Sequence, residues 1–112
     1  MEDNKYNLLQ DAKITNLIDA ELVHANELYP NFHSSHEGYA VIKEEFEEAK
    51  DGLKQIKDEL SDLWVCIKHN LQIEQLSDLK NLCGNLIKES IHLAAMVKKF
   101  EISIQELKTN KK

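Results

Sequence analysis

The chain has 112 residues and a formal net charge of −6, because 20 acidic residues outnumber 14 basic ones. This charge disfavours general binding to nucleic acid, where Lys and Arg must replace the counterions of the phosphates. No apolar run approaches the ~20 residues that cross a bilayer. With only three Gly and one Pro, the composition is typical of one helical domain over residues 1–112. The acidic, polar N-terminal segment is unlike a secretory signal, so we expect a cytoplasmic protein.

The first predicted helix covers approximately residues 5–28. Its apolar residues recur at spacings of three and four, which is typical of a helix with one packed face. We expect the helix to end before Pro30, because the residue that precedes a proline disfavours helical backbone angles. The apolar residues are Ile14, Leu17, Ile18, Leu22, Ala25 and Leu28.

The second predicted helix, approximately residues 35–68, has the most regular pattern in the sequence. Ser34 followed by Glu37 fits a capping box at its start. Gly52 is its weak point, at a cost of about 1 kcal/mol relative to Ala. The uninterrupted alternation of three and four indicates a helix of a bundle or coiled coil. The apolar residues are Tyr39, Ile42, Phe46, Ala49, Leu53, Ile56, Leu60, Leu63 and Ile67.

The third predicted helix covers approximately residues 71–107, with Asn70 as its expected cap. A broad apolar face predicts that it packs against the second helix. The expected fold is therefore all-α, a helical bundle built on a long antiparallel hairpin. Three thin helices leave apolar surface uncovered, so we expect a homodimer or homotetramer to complete the bundle. The apolar face consists of Leu79, Leu82, Leu86, Leu93, Val97, Phe100, Ile104 and Leu107.

Two pairs of residues with metal-binding side chains have the same helical spacing. Glu45 and Glu48 are three residues apart, and so are Glu89 and His92, so each pair lies on one helix face. In a hairpin that reverses at residues 68–69, where the periodicity independently breaks, Glu45 faces His92 and Glu48 faces Glu89. A pocket of this kind, rich in carboxylate oxygens, would suit a hard divalent cation such as Mg²⁺.

A competing acidic pair, Glu59 and Asp62, lies further along the second helix. On a continuous helix it is roughly 20 Å from Glu45 and Glu48 at 1.5 Å per residue. It could share their metal only if residues 51–52 formed a turn, or across a subunit interface. We therefore rank it below the pair formed by Glu89 and His92.

The segments FHSSHEGYAVIKEEFEEA and KESIHLAAMVKKF resemble the MazG-like, all-α nucleoside triphosphate pyrophosphohydrolases, especially small members from phage and prophage. The resemblance covers roughly residues 15–100. In that family an EExxE motif and an ExxD motif on facing helices bind Mg²⁺, which carries the triphosphate for cleavage between the α and β phosphates. By position, Glu44, Glu45 and Glu48 would occupy EExxE, and Glu89 would occupy the first place of ExxD.

His92 departs from this pattern, because it stands where the family usually has Asp and where some small members have Gln. A neutral imidazole nitrogen binds metals but suits softer ions than Mg²⁺, so Mn²⁺ is a second candidate. The resemblance implies a nucleoside triphosphate as substrate, with Glu45, Glu48, Glu89 and His92 around the metal. Glu44, one residue from the ligand face, would orient or deprotonate the attacking water.

Two further expectations follow from the sequence. Lys98 and Lys99, two turns beyond His92, are candidate contacts for the phosphates. The alternative to an enzyme is a non-catalytic helical oligomerisation protein that keeps the fold with a degenerate site, since the unbroken heptads of the second helix favour association.

Overall fold

The fold, in a computed structural model, is described for residues 2–110, with side chains described within residues 3–108. It contains three α-helices: α1 (Glu2–Leu28), α2 (Ser35–Lys68) and α3 (Leu76–Asn110). No strand occurs between residues 2 and 110, so the predicted all-α class is confirmed. α3 packs against both other helices and is the element around which the molecule is built. Over the same residues, no helix is long and apolar enough to cross a membrane.

The N-terminal end of α2 is formed as the capping pattern predicts. Ser34 has an extended backbone, and its hydroxyl oxygen accepts a hydrogen bond from the backbone N–H of Glu37 at 3.1 Å. That bond satisfies one of the amide groups left unpaired in the first turn of a helix. The helix then continues without a break through Gly52. A turn at residues 51–52 is therefore absent, and Glu59 stays about 20 Å from Glu45 along the helix axis.

The predicted start of α3 at residue 71 is wrong, because the helix begins at Leu76. Asn70 has a φ of +53°, a left-handed conformation that Asn tolerates better than most residues. The N–H of Asn70 donates to the carbonyl of Ile67 at 3.3 Å, and that of Leu71 donates to Cys66 at 2.9 Å. These bonds form a Schellman motif. Asn70 therefore ends α2 instead of capping α3, and residues 71–75 form an additional connection.

The core lies at one end of the molecule, where the three helices and the α1–α2 connection meet. The rings of Phe32, in that connection, and Phe100 pack edge to face with centroids 6.2 Å apart. The N–H of Phe32 donates to the hydroxyl of the buried Ser103 at 3.0 Å, which holds the connection against α3. The buried apolar residues of this core are Leu22, Phe32, Ala95 and Met96.

Gly38 lets α2 approach α3 closely beside this core. It is buried, and a Cβ atom added to it would lie 2.7 Å from Cδ1 of Phe100. Further along the pair, Gly52 lies against Leu86. The contact of α2 with α3 thus moves from Phe100 to Leu86 as α2 runs from Gly38 to Gly52.

We predict that Gly38→Ala destabilises the fold by about 1–3 kcal/mol, which is the usual cost of overpacking. Gly84→Ala is the matched control, because a Cβ atom there meets nothing within 4 Å. Its higher helix propensity should stabilise the protein by up to about 1 kcal/mol. Chemical denaturation of both variants at one protein concentration measures the difference. Equal stabilisation by the two substitutions would show that α2 and α3 are not in close contact at Gly38.

Candidate metal centre

Three side chains from two helices converge beside the core. Glu45 of α2 and Glu89 and His92 of α3 each offer a ligand atom, and these atoms all lie within 4.8 Å of one another. The spacing of three residues puts Glu89 and His92 on one face of α3, and the packing of α2 against α3 brings Glu45 to them. All three side chains are half-buried, so the cluster is shielded from solvent but not closed.

Two carboxylate oxygens in the cluster lack hydrogen-bond donors. Glu45 Oε2 and Glu89 Oε2 are both inaccessible to solvent and have no hydrogen-bond partner among the described residues. Burying a charged oxygen without a partner is unfavourable, and native proteins usually avoid it. A divalent cation between the two helices would supply the missing partner for both oxygens. The donor set therefore fits a metal ion.

The ring of His92 lies between two carboxylates. Its Nδ1 is 4.0 Å from Oε2 of Glu89, and its Nε2 is 3.8 Å from Oε2 of Glu21. Both distances exceed that of a hydrogen bond. Histidines that bind metals commonly direct their other ring nitrogen to a carboxylate, which fixes the orientation of the ring. Glu21, which lies outside the three-residue cluster, is placed for this role on the Nε2 side of the imidazole.

Glu21 of α1 is the member of this group that the sequence analysis missed. It occupies the apolar face of its helix, between Ile18 and Ala25 on one side and Leu17 and Leu28 on the other. An acidic residue on a packed face is costly unless it has a partner. The position of an acidic residue on an apolar helix face was the feature of the sequence that could have indicated a role for Glu21. In the structure Glu21 is half-buried beside the core.

Crowding of negative charge perturbs the carboxylates of α2. Burial raises the pKa of Glu45, the negative charges of Glu48, Glu89 and Glu44 raise it further, and His92 opposes them. The pKa of Glu48 is also raised, first by the adjacent Glu89 carboxylate, which could accept a hydrogen bond from a protonated Glu48, and then by partial desolvation and the negative charge of Glu89. The folded protein therefore holds these protons more tightly than the unfolded chain does.

Glu48 and Glu44 lie at the edge of the cluster. Glu48 is exposed and lies outside the set of atoms within 4.8 Å, yet its pKa responds to both Glu45 and Glu89. Glu44 is exposed and acts on the pKa of Glu45 only as the weakest contribution. Both side chains therefore lie on the solvent side of the cluster and act on it electrostatically.

The two candidate lysines have different environments. Lys98 forms an ion pair with Asp19 of α1, so its charge already has a partner. Lys99 is only 3% exposed. Its ammonium group donates to the backbone carbonyl of Tyr29 at 2.8 Å and lies 4.8 Å from the centre of the Phe32 ring. Burial lowers the pKa of Lys99, against the opposing charge of Glu37.

A cavity of about 380 Å³ opens beside the cluster. Glu21 and Glu45 belong both to its wall and to the surroundings of His92, so the cavity and the cluster adjoin. The opposite wall carries apolar and aromatic groups together with Lys99. The volume of the cavity lies within the range of small-molecule sites, which combine an apolar lining with a few polar groups. Aromatic and apolar side chains of the wall include Leu28, Tyr29, Phe32, Val41 and Met96.

No protein-family model, curated protein or solved structure matches this chain. The chemistry of the site is therefore argued from its own geometry. Two carboxylates and one imidazole from two helices surround one point, with Glu21 of a third helix beside the imidazole and a cavity with an apolar wall next to them. Such a set can hold a divalent cation and present it to an anionic ligand whose other part enters the cavity.

We predict that Glu45→Gln stabilises the metal-free protein at neutral pH by up to about 1 kcal/mol, the range for partly exposed charges. The pKa of Glu45 is raised above its ordinary value of 4.5 on folding. Glu45 therefore contributes favourably to folding at a pH below 4.5, where its carboxyl group is protonated. This contribution is lost as the pH rises through the pKa that Glu45 has in the folded protein. The gain in the variant should accordingly disappear near pH 4. Denaturation across pH 4–8 in a chelator measures it.

Glu47→Gln is the matched control for this prediction. Glu47 is exposed, and two residues along a helix place it on the side opposite Glu45. The substitution removes the same formal charge without touching the cluster. If Glu47→Gln stabilised the protein as much as Glu45→Gln over the same pH range, net charge would be the cause and local crowding at Glu45 would be excluded.

Proposed function

We propose that the protein is a metal-dependent nucleoside triphosphate pyrophosphohydrolase that converts a (d)NTP to the (d)NMP and pyrophosphate. The observation that carries the proposal is the pair of buried, unpartnered oxygens of Glu45 and Glu89, held beside His92 and next to the cavity. The resemblance of the sequence around these residues to the MazG-like family supports the same activity. A site with this much negative charge requires a cation before a triphosphate can approach it.

The proposed metal site consists of Glu45, Glu48, Glu89 and His92. Mg²⁺ is the cation that carboxylates and phosphates share most readily, and the imidazole also favours Mn²⁺. A cation bound there neutralises phosphate oxygens and lowers the pKa of a bound water. Glu48 closes the solvent side of the site, since it is the exposed member of the set.

In this proposal the remaining side chains orient the reactants. Glu44, exposed beside Glu45, accepts a proton from the attacking water or orients it, as a general base does. Glu21 holds the His92 ring from the α1 side, with 3.8 Å between the nearest atoms. A cation held by these residues would relieve the repulsion among the carboxylates and offset the negative charge of the triphosphate.

The nucleoside part of the substrate is proposed to enter the cavity next to the cluster. Its aromatic wall, with Tyr29 and Phe32, offers surfaces for a flat base. Lys99 is the more suitable of the two lysines as a contact, because it lines the cavity and its ammonium group is bound to the carbonyl of Tyr29 and the Phe32 ring, whereas Lys98 is paired with Asp19. Lys99 would donate a hydrogen bond to an oxygen of the substrate.

The proposal also concerns the helices and subunits around the site and the compartment in which the protein acts. α2 and α3 act as an antiparallel hairpin that holds both halves of the metal site, and a homodimer or homotetramer covers the apolar surface that one chain leaves exposed. The site of action would be the cytoplasm, where nucleoside triphosphates are present. Neither nucleic acid nor a membrane is a proposed partner.

The test is release of pyrophosphate from a panel of dNTPs and NTPs with Mg²⁺ and with Mn²⁺. We predict activity on one or a few substrates that Glu89→Gln lowers by at least a hundredfold, because a ligand from α3 is lost while the shape of the side chain is kept. Glu47→Gln, on the opposite side of α2, should retain wild-type activity. Release that persists in Glu89→Gln, or no release with any nucleotide, would contradict the proposal.

One observation favours a second candidate, the non-catalytic oligomerisation protein. Large apolar side chains are exposed along the whole of α2, which suits a protein whose role is to associate. An absence of pyrophosphate release, together with an unchanged oligomer in Glu89→Gln, would favour this candidate over the enzyme.

A further inference from the structure

The apolar residues of α2 form two separate rows. The inner row, Ile42, Ala49, Ile56 and Leu63, is half-buried. The outer row consists of every seventh residue from 39 to 67, and all of its side chains are large and exposed. The exposed fractions are 62% for Tyr39, 50% for Phe46, 57% for Leu53, 50% for Leu60 and 46% for Ile67.

From these observations we infer that the outer row of α2 is the interface with a second copy of this chain, in which α2 packs against α2. The inference concerns the surface that forms the proposed oligomer. It does not depend on catalysis at the metal site, and it stands if the pyrophosphohydrolase activity fails its test.

The geometry of the outer row is that of a coiled-coil seam. Seven residues fall only about 20° short of two full helical turns, so a row with this period stays on one side of the helix. From residue 39 to residue 67 the row runs about 42 Å at 1.5 Å per residue. A seam this long and narrow suits another helix better than a small ligand. The exposed apolar residues of α1, in contrast, include the adjacent Leu8 and Leu9 and so lie on more than one face.

The surface area of the chain supports the same interpretation. The chain exposes 8851 Å², whereas a folded monomer of 13.0 kDa is expected to expose about 6,300 Å². The excess is about 2,500 Å² per chain, and a standard interface requires about 800 Å² from each partner. The uncovered surface is thus large enough for an obligate dimer.

Symmetry indicates that the partner is a second copy. Exposed lysines lie four residues after the first three members of the row, and so border the seam on one side. The same row on two chains can form a self-complementary, two-fold interface, the commonest kind among oligomers. The bordering lysines are Lys43, Lys50 and Lys57.

The test compares Leu60→Ala with Val65→Ala by sedimentation over a range of concentrations. The two residues are matched, because both are on α2 and are exposed by 50% and 45%. Five residues place Val65 about 140° around the helix from Leu60, away from the row. We expect the wild type to be at least a dimer, Leu60→Ala to raise its dissociation constant at least tenfold, and Val65→Ala to leave it unchanged.

Loss of folding in Leu60→Ala is also informative, because Ala favours a helix and is tolerated at a position that faces solvent. Unfolding of Leu60→Ala at concentrations where Val65→Ala stays folded would therefore support the inference. A second readout uses Trp64, the only tryptophan, which is 57% exposed in the single chain and lies four residues from Leu60. Its emission should shift to the red when the wild type is diluted. A monomeric wild type, or equal behaviour of the two variants, would overturn the inference and leave the row to another partner.

Discussion

The contact between α2 and α3 is the constraint on which the rest of the structure depends. Near the core it is close because Gly38 has no side chain to separate the helices and lies directly against Phe100. Ala95, which is fully buried in α3, has a small side chain that also permits close packing. This approach brings Glu45 to Glu89 and His92. A slightly wider separation would leave the carboxylates to water, and the candidate metal centre would not form.

The close approach has an electrostatic cost that only a ligand offsets. Burial and neighbouring negative charge raise the pKa of Glu45, and two carboxylate oxygens remain buried without a donor. A protein under selection for stability alone would replace such groups, because removal of buried like charges is generally favourable. Glu45 also forms part of the wall of a cavity, which is the pattern expected of a functional site, where perturbed groups cluster.

Local patterns in the sequence are sufficient to predict α2. They also predict that the acidic residues of α2 lie near those of α3. The cap at Ser34 and the unbroken periodicity predict the helix, and equal spacing predicts that Glu45 meets His92. The sequence predicts the wrong role for Asn70, as the cap of α3, because Asn can either start or end a helix. Only its positive φ decides between the two roles. The surroundings of Glu21 and the exposure of the outer row of α2 depend on how α1 and α2 are arranged around α3. Periodicity within one helix does not contain that information.

Binding of a divalent cation by the Glu45, Glu89 and His92 cluster is the premise of the proposed activity. Titration of the chelator-treated protein with Mn²⁺, followed by electron paramagnetic resonance, tests it most directly because free and bound Mn²⁺ give different signals. If the cluster binds the cation, the wild type and Glu47→Gln will each show one saturable site per chain, and Glu89→Gln will have lost it. Wild-type protein that leaves all Mn²⁺ free, or binding that Glu89→Gln does not change, would contradict the account.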